Sequence, residues 1–165
     1  MSYVDTSVIV VALDPKDSRR EHARSFLESD EYKVVSELVL VELASALSRR
    51  NELLLSLASK LGVSNELLVT ASLLYILRRF KLKYRAITVR TRPLPFGRIY
   101  APVAVATELS STLRLKTLNL LHVAYVKILK EEGEPIRTLV TADSDFKRIK
   151  KELRDSIGVE VLLLE

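Results

Sequence analysis

The chain has 165 residues, of which 48% are hydrophobic and 28% are charged, and its formal net charge is +5. This length and apolar content are typical of one folded domain with a sizeable core, and they exclude an intrinsically disordered chain. The absence of Cys excludes a disulfide scaffold, a thiol nucleophile and a zinc site ligated by cysteine.

The N-terminal third of the chain predicts short strands that alternate with helices. In chain order the predicted elements are a buried strand Tyr3–Val4, a helical turn Ser7–Leu13, a helix from Pro15, a strand Tyr32–Val35 and a helix from Glu37 to about Arg50. Ser36 is the predicted N-cap of the last of these helices.

The remaining two thirds continue this alternation and predict an α/β fold. The predicted elements are helices Leu53–Leu61 and Glu66–Phe80, an edge strand Arg85–Arg92, an irregular loop with Pro93, Pro95 and Gly97, a helix from about Pro102 to Leu113, a buried helix Leu118–Lys130 capped by Thr117, a strand Ile136–Thr141, a helix Phe146–Leu153 and a strand Val159–Leu163. We therefore expect one domain over residues 1–165, a three-layer α/β/α sandwich on a mostly parallel sheet.

Three acidic residues lie where a functional site is expected. Asp5 and Asp143 each follow a predicted strand, and ligands gather at the carboxyl ends of strands in open α/β sheets. Either residue could instead cap the helix that follows it. Glu42 lies in the apolar segment LVLVELASAL, where a buried carboxylate requires a cation or hydrogen-bond donors, although Glu42 could also face solvent.

Two polar residues lie in the predicted buried helix TLNLLHVAYV. Asn119, in its first turn, is either a structural amide or part of a site, and His122 is interpreted as a hydrogen-bonded packing residue. Asp145 suits the N-terminus of the last helix. Clustered carboxylates favour a divalent cation that neutralises them, and oxygen ligands without Cys select Mg²⁺ or Mn²⁺.

The positive charge is concentrated in one window, residues 67–107, which contains no acidic residue. Its eight basic residues are Arg78, Arg79, Lys81, Lys83, Arg85, Arg90, Arg92 and Arg98. The interleaved aromatic residues are Tyr75, Phe80, Tyr84, Phe96 and Tyr100. Such a window suits single-stranded RNA, because cations neutralise phosphates and exposed rings stack on bases. The alternatives are core aromatic residues beside a solvated basic face, and a surface for an acidic protein partner.

Composition also bears on cellular location and source. No uncharged run approaches the roughly 18 apolar residues that span a bilayer, and no basic segment precedes the apolar N-terminal stretch as it would in a signal peptide. We expect a cytoplasmic protein with no membrane partner. The chain has no Gln, three Asn and one Met, a depletion typical of thermophile proteins.

Four segments together resemble a PIN domain, especially the VapC-like toxins of prokaryotes. They are YVDTSVIV, VSELVLVELASAL, LKTLNLLHVAYV and LVTADSDF, and the chain then closes on VEVLLL. The resemblance covers about residues 1–50 and 100–165 and implies that 51–99 is a helical and basic insertion. It also implies an α/β/α sandwich, an endoribonuclease dependent on Mg²⁺ or Mn²⁺, and RNA, an antitoxin and a second copy of the chain as partners.

The resemblance also implies residue roles. The catalytic positions are Asp5, Glu42, Asn119 and Asp143, and the metal ligands are Asp5, Glu42 and Asp143 with Asp145 as a helper. The hydroxyl groups that support these acids belong to Thr6, Ser7 and Thr141. The family usually has Asp where this chain has Asn119, so one negative charge is missing. Two hypotheses follow: a metal-dependent ribonuclease, or a catalytically degenerate PIN domain that binds RNA or protein.

Overall fold

Strands and helices alternate along the chain in the computed structural model, which describes residues 1–49, 56 and 58–165. The strands are β1 (Ser2–Val4), β2 (Lys33–Val35), β3 (Lys83–Tyr84), β4 (Thr91–Leu94), β5 (Gly97–Tyr100), β6 (Thr138–Thr141) and β7 (Glu160–Leu163). The helices are α1 (Thr6–Leu13), α2 (Arg20–Glu28), α3 (Glu37–Ser48), α4 (Asn65–Arg79), α5 (Ala101–Leu113), α6 (Thr117–Glu131) and α7 (Lys150–Ile157), and a 3₁₀ segment, Ser144–Ile149, precedes α7.

Five of the strands form a parallel sheet in the order β3-β2-β1-β6-β7. The central strand β1 pairs with β2 on one side and β6 on the other, so that Tyr3 lies opposite Val34 and Leu139. Because β1 and β6 are parallel neighbours, the residues that follow them emerge at the same edge of the sheet. Asp5 and Asp143 therefore lie close together. The parallel sheet with its flanking helices confirms the predicted α/β sandwich.

The core forms where the sheet meets its flanking helices. The side chains of Tyr3 and Phe146 have no exposed surface, and the segment over α6 that was predicted to be buried has nine buried residues. Polar side chains in such a buried helix must have hydrogen-bond partners, because an unpaired buried polar group is costly. In the described part of the chain, no helix is long and apolar enough to cross a membrane.

The predicted edge strand Arg85–Arg92 is wrong, and so is the irregular loop that was predicted to follow it. The structure has β3 before this segment and an antiparallel hairpin of β4 and β5 after it, with Pro93 opposite Arg98. The backbone N–H groups of Thr88 and Val89 do not join a sheet. They donate to the Glu132 carboxylate at 2.8 Å, and the Thr88 hydroxyl donates to it at the same distance.

Several helix boundaries also differ from prediction. The second helix begins at Arg20 rather than Pro15, and the segment predicted as one helix, Phe146–Leu153, divides between the 3₁₀ segment and α7. Ser36 precedes α3, but its side chain makes no capping hydrogen bond. Of the predicted helix Leu53–Leu61, residues 53–55 and 57 lie outside the described part of the chain, and residues 56 and 58–61 are helical.

The Glu132 contact predicts a pH-dependent contribution to stability. Burial alone would raise the pKa of this carboxyl, but the hydrogen bonds from Val89 and Thr88 hold it below its usual range. A lowered pKa in the folded state means that the contribution is present above the ordinary Glu pKa and is lost as pH falls through the lowered value. Glu132→Ala is expected to reduce the free energy of unfolding by about 1 kcal/mol at pH 7 and by less at pH 3.

Urea denaturation at the two pH values measures this difference. Glu108→Ala is the matched control, because Glu108 is exposed on α5 and its loss should change stability little at either pH. A Glu132→Ala penalty that is equally large at pH 3 would contradict the ionic account of this contact.

Candidate metal centre

Asp5 is held at the carboxyl end of β1 by donors from three directions. One carboxylate oxygen, Oδ2, accepts hydrogen bonds from the hydroxyl groups of Ser7, at 2.8 Å, and Thr141. The other, Oδ1, accepts from the Ser7 backbone N–H at 3.3 Å, so Asp5 also caps α1. The residue is only 4% exposed. Asp5 therefore both caps α1 and lies in the site, although the sequence left these two roles as alternatives.

Glu42 reaches the same point from α3, the helix that follows β2. Its Oε2 atom accepts hydrogen bonds from the Thr6 hydroxyl and from His122 Nε2, the latter at 2.9 Å. Burial alone would raise the pKa of the Glu42 carboxyl, but these bonds and the charge of His122 bring it below its usual range. Glu42 therefore faces the site rather than solvent, and it is held there as a carboxylate.

His122 joins the two carboxylates. Its Nε2 atom lies 3.1 Å from Asp5 Oδ1 and 2.9 Å from Glu42 Oε2, and the side chain is almost completely buried. Its other ring nitrogen, Nδ1, lies 3.0 Å from the Tyr3 hydroxyl, which in turn lies 2.7 Å from Ser36 Oγ. Sequence reasoning interpreted His122 as a packing residue. It is buried and hydrogen-bonded, but its partners are the carboxylates of the site.

Asp143 and Asn119 form a second pair beside this group. The Asn119 amide donates from Nδ2 to Asp143 Oδ2 at 2.9 Å, and the backbone N–H of Asp145 donates to Asp143 Oδ1, also at 2.9 Å. Burial would raise the pKa of the Asp143 carboxyl, but these two bonds and the nearby Lys116 ammonium keep it below its usual range. Both oxygens of Asp143 therefore already have a donor.

Thr141 connects the two halves of the site. Its hydroxyl donates to Asp5 Oδ2 and accepts from the backbone N–H of Asp143 at 3.0 Å, and the residue has no exposed surface. Thr6 and Ser7 also contact the carboxylates, as the resemblance implied. The supporting hydroxyl groups and their acids thus form one continuous network.

These groups line a cleft of about 670 Å³. The lining includes the side chains of Asp5, Glu42, Asn119, His122 and Asp143, two basic residues, Arg49 and Lys116, and the apolar residues Val10, Val41, Ala46 and Leu118. Asp145 does not line it; its carboxylate pairs with Lys116 Nζ at 2.9 Å. The structure therefore brings the four predicted catalytic positions to one cleft and turns the predicted helper, Asp145, toward a lysine.

The donor set of this cleft fits a divalent cation. Among the described residues, one group of three has ligand atoms that all lie within 4.8 Å of one another, namely Asp5, Glu42 and His122. Two carboxylates and an imidazole are suitable ligands for a first-row divalent metal. Asp143, which was predicted as a ligand, lines the cleft but is not a member of this group.

Half of the cations in the basic window form ion pairs away from the cleft. Four of its eight cations contact carboxylates: Arg79 contacts Glu28, Lys81 contacts Asp30, Arg85 contacts Glu134 and Arg92 contacts Glu131. Glu131 ends the helix in which Asn119 lies near the start, so the two are separated by about 18 Å along its axis. The cations in the cleft, Arg49 and Lys116, were missed because they lie outside the acid-free window.

Thr141→Val should destabilise the protein while preserving the volume of the side chain. Valine leaves Asp5 without one donor and the Asp143 N–H without its acceptor in a buried position, so we expect a loss of about 1–3 kcal/mol. Urea denaturation measures it. Thr138→Val, at the opposite end of β6, is the control, and equal effects at both positions would contradict the role of this hydroxyl.

Comparison with known proteins finds one family whose model matches the chain. The family model described as PIN domain matches residues 2–152, and comparison with curated proteins finds no significant match. The fold is similar to a chain of VapBC2 from Rickettsia felis bound to a DNA fragment from its promoter, with 18% identity and a TM-score of 0.59 over 100% of both chains. It is also similar to Mycobacterium tuberculosis VapC20, a toxin that cleaves the sarcin–ricin loop, with 18% identity and a TM-score of 0.55 over 90% of this chain and 94% of that one.

Proposed function

The chain belongs to the PIN domain family, and on this premise we propose that it is a metal-dependent endoribonuclease that hydrolyses RNA phosphodiesters. The observation that carries the proposal is the convergence of the Asp5 and Glu42 carboxylates in an open cleft beside Asp143 and Lys116. A cluster of carboxylates next to a lysine suits a divalent cation and a phosphate together.

The chemistry follows from what each side chain can do in this cleft. Asp5 and Glu42 would hold Mg²⁺ or Mn²⁺, which supplies a Lewis acid and a water of lowered pKa. Lys116, on the rim, places a cation where it can neutralise a phosphate. Thr6 and Thr141 hold the carboxylates in place through their hydroxyl groups, so that little reorganisation is needed when substrate binds.

The partners proposed for the chain are RNA, an antitoxin protein and a second copy of itself. The Rickettsia felis structure contains VapBC2 with promoter DNA, and the Mycobacterium tuberculosis protein cleaves the sarcin–ricin loop. Because these structures are 18% identical to this chain, they support the fold and leave the partners as proposals. An antitoxin that covers the cleft would need acidic groups for Arg49 and Lys116.

RNA binding is proposed to use the cleft cations first and the basic window second. In the basic window, Arg78, Lys83, Arg90 and Arg98 form no ion pair with the residues that the structure describes, so these four are its best candidates for phosphate contacts. The four window residues that pair with carboxylates would have to exchange that carboxylate for a phosphate, and so would Lys116, which pairs with Asp145.

Lys116→Ala is expected to weaken RNA binding at all sequences and to lower the slope of log K against log [salt] by about 1, because one phosphate contact is lost. Fluorescence anisotropy over a salt titration measures this slope. Lys151→Ala, an exposed substitution on α7, is the control. A slope unchanged by Lys116→Ala would remove the cleft from the RNA-binding surface.

Incubation of the purified protein with structured and unstructured RNA tests the activity directly. Cleavage is expected with Mn²⁺ or Mg²⁺ and none with EDTA, and Asp5→Asn should abolish it. No cleavage of any RNA with either metal, by a protein that is folded and binds metal, would remove the support for a nuclease.

The second candidate function is that of a catalytically degenerate PIN domain that binds RNA or protein. It is favoured by Asn119, which carries no charge and donates to Asp143 instead of adding a carboxylate. If the wild type binds RNA without cutting it and Asn119→Asp cuts, the degenerate function is correct. Wild-type cleavage that Asp5→Asn abolishes would contradict it.

A further inference from the structure

Asn119 and Asp143 form a hydrogen-bonded pair beside the side chains that are close enough to share a metal. The Asn119 amide donates to one oxygen of Asp143, and the Asp145 N–H donates to the other, so both oxygens of that carboxylate are engaged. Asp143 is also absent from the group of described side chains whose ligand atoms lie within 4.8 Å of one another. The third member of that group is His122.

The imidazole of His122 lies where an adjacent metal ligand would lie. Its Nε2 atom is 3.1 Å from Asp5 Oδ1 and 2.9 Å from Glu42 Oε2. Neighbouring ligands around an octahedral ion with bonds of 2.0–2.1 Å are separated by about 2.9 Å. The three atoms could therefore coordinate one ion with small shifts of their side chains.

The other ring nitrogen of His122 has the partner that a metal-bound histidine requires. A ligating histidine usually donates its second N–H to an acceptor, which fixes the orientation of the ring. The Tyr3 hydroxyl lies 3.0 Å from Nδ1 and 2.7 Å from Ser36 Oγ. Because a hydroxyl has one proton and can also accept, Tyr3 can accept from Nδ1 and donate to Ser36. Nε2 is then directed at the two carboxylates, and the proton that it now donates to Glu42 is released when a metal takes its place.

We propose that His122 Nε2 is a direct metal ligand together with Asp5 and Glu42, and that this mixed nitrogen and oxygen site selects a first-row transition metal, with Mn²⁺ as its probe, over Mg²⁺. Imidazole suits first-row transition metals, among which Mn²⁺ is the most weakly bound, whereas Mg²⁺ prefers oxygen ligands. The inference rests on the proposed function only for the presence of a divalent metal. It differs from a site built on carboxylates alone, because the third side chain within ligand distance is His122 and not Asp143.

Electron paramagnetic resonance of Mn²⁺ bound to the full chain tests this inference. The chain has two histidines, and His22 is exposed on α2. Pulsed spectra of bound Mn²⁺ are expected to show coupling to an imidazole nitrogen in the wild type and in His22→Asn, and no such coupling in His122→Asn. The affinity for Mn²⁺, measured by the loss of the free-ion signal, should fall by at least about 100-fold in His122→Asn, while the weaker affinity for Mg²⁺ stays nearly unchanged.

Tyr3→Phe provides an intermediate case. It removes the acceptor for Nδ1 and keeps the ring of residue 3 in the core, so the nitrogen coupling should remain while the affinity for Mn²⁺ falls by about tenfold. If His122→Asn does not fold, nitrogen coupling in the wild type and in His22→Asn still tests the ligand. His122 is the one histidine left in His22→Asn, so coupling there must come from it.

Bound Mn²⁺ without nitrogen coupling, an affinity for Mg²⁺ equal to that for Mn²⁺, or no binding of Mn²⁺ at millimolar concentration would overturn the inference. RNA cleavage is assayed in parallel on the same samples. Cleavage that depends on Asp5 but without nitrogen coupling refutes the histidine ligand and retains the nuclease. Nitrogen coupling without cleavage of any RNA supports the histidine ligand and refutes the nuclease.

Discussion

Asp5→Asn is expected to lower the rate of RNA cleavage by about three orders of magnitude at saturating substrate. The charge stabilisation that a bound metal gives to the transition state amounts to several kcal/mol, and each 1.36 kcal/mol corresponds to about a factor of ten in rate. Asp5 carries this effect because its carboxylate belongs to both the buried hydroxyl network and the candidate ligand group. Single-turnover cleavage of a labelled RNA measures the rate.

Asp30→Asn is the matched control for this prediction. The Asp30 side chain is 98% exposed and contacts only an exposed lysine in the described part of the chain, so the same chemical change there should leave the rate unaltered. A loss of less than tenfold in Asp5→Asn, with the variant folded, would mean that the cleft does not catalyse the reaction.

Asn119→Asp is expected to destabilise the metal-free protein by about 2 kcal/mol. The substitution replaces the donor to Asp143 Oδ2, now at 2.9 Å, by a second negative charge in a buried position. A hydrogen bond to a charged group contributes about 1.5–3 kcal/mol, and two carboxylates that share a site repel each other. Millimolar Mg²⁺ or Mn²⁺ should restore the loss, because binding to the folded state alone adds stability.

Thermal and urea denaturation with and without metal measure both effects. Asn65→Asp is the control, since Asn65 is exposed in the first turn of α4, where a negative charge is tolerated or mildly stabilising. If Asn119→Asp is as stable as the wild type without metal, Asn119 does not hold Asp143 as the structure suggests. The comparison with RNA cleavage by the same variant then separates a structural amide from a lost catalytic acid.

The sequence predicted the positions that depend on local pattern. Asp5 and Asp143 were placed correctly because each follows a short buried strand, and parallel neighbouring strands bring such residues to one edge. Glu42 was singled out because a carboxylate in an apolar helix requires partners, and it has them in Thr6 and His122. These inferences need only strand ends, helix faces and the cost of burying charge.

The features that sequence reasoning missed depend on contacts between distant segments. Ile87 and Val89 alternate with polar residues as a strand would, yet Val89 is 48% exposed and its N–H donates to a glutamate 43 positions later. His122 was interpreted from its own helix, whereas its partners Asp5 and Glu42 lie on the other side of the site. The signal that could have identified it is its position one turn after Asn119, on a helix whose burial requires every polar group to be satisfied.

The pairing of β1 with β6 has a consequence for the order in which the protein is made. The hydroxyl of Thr141 that holds Asp5 is 136 positions further along the chain. During synthesis from the N-terminus, Asp5 and Glu42 leave the ribosome long before Thr141 and Asp143 exist, and the central strand has a partner on one side only. A nascent chain therefore cannot assemble the complete site until Thr141 and Asp143 have left the ribosome.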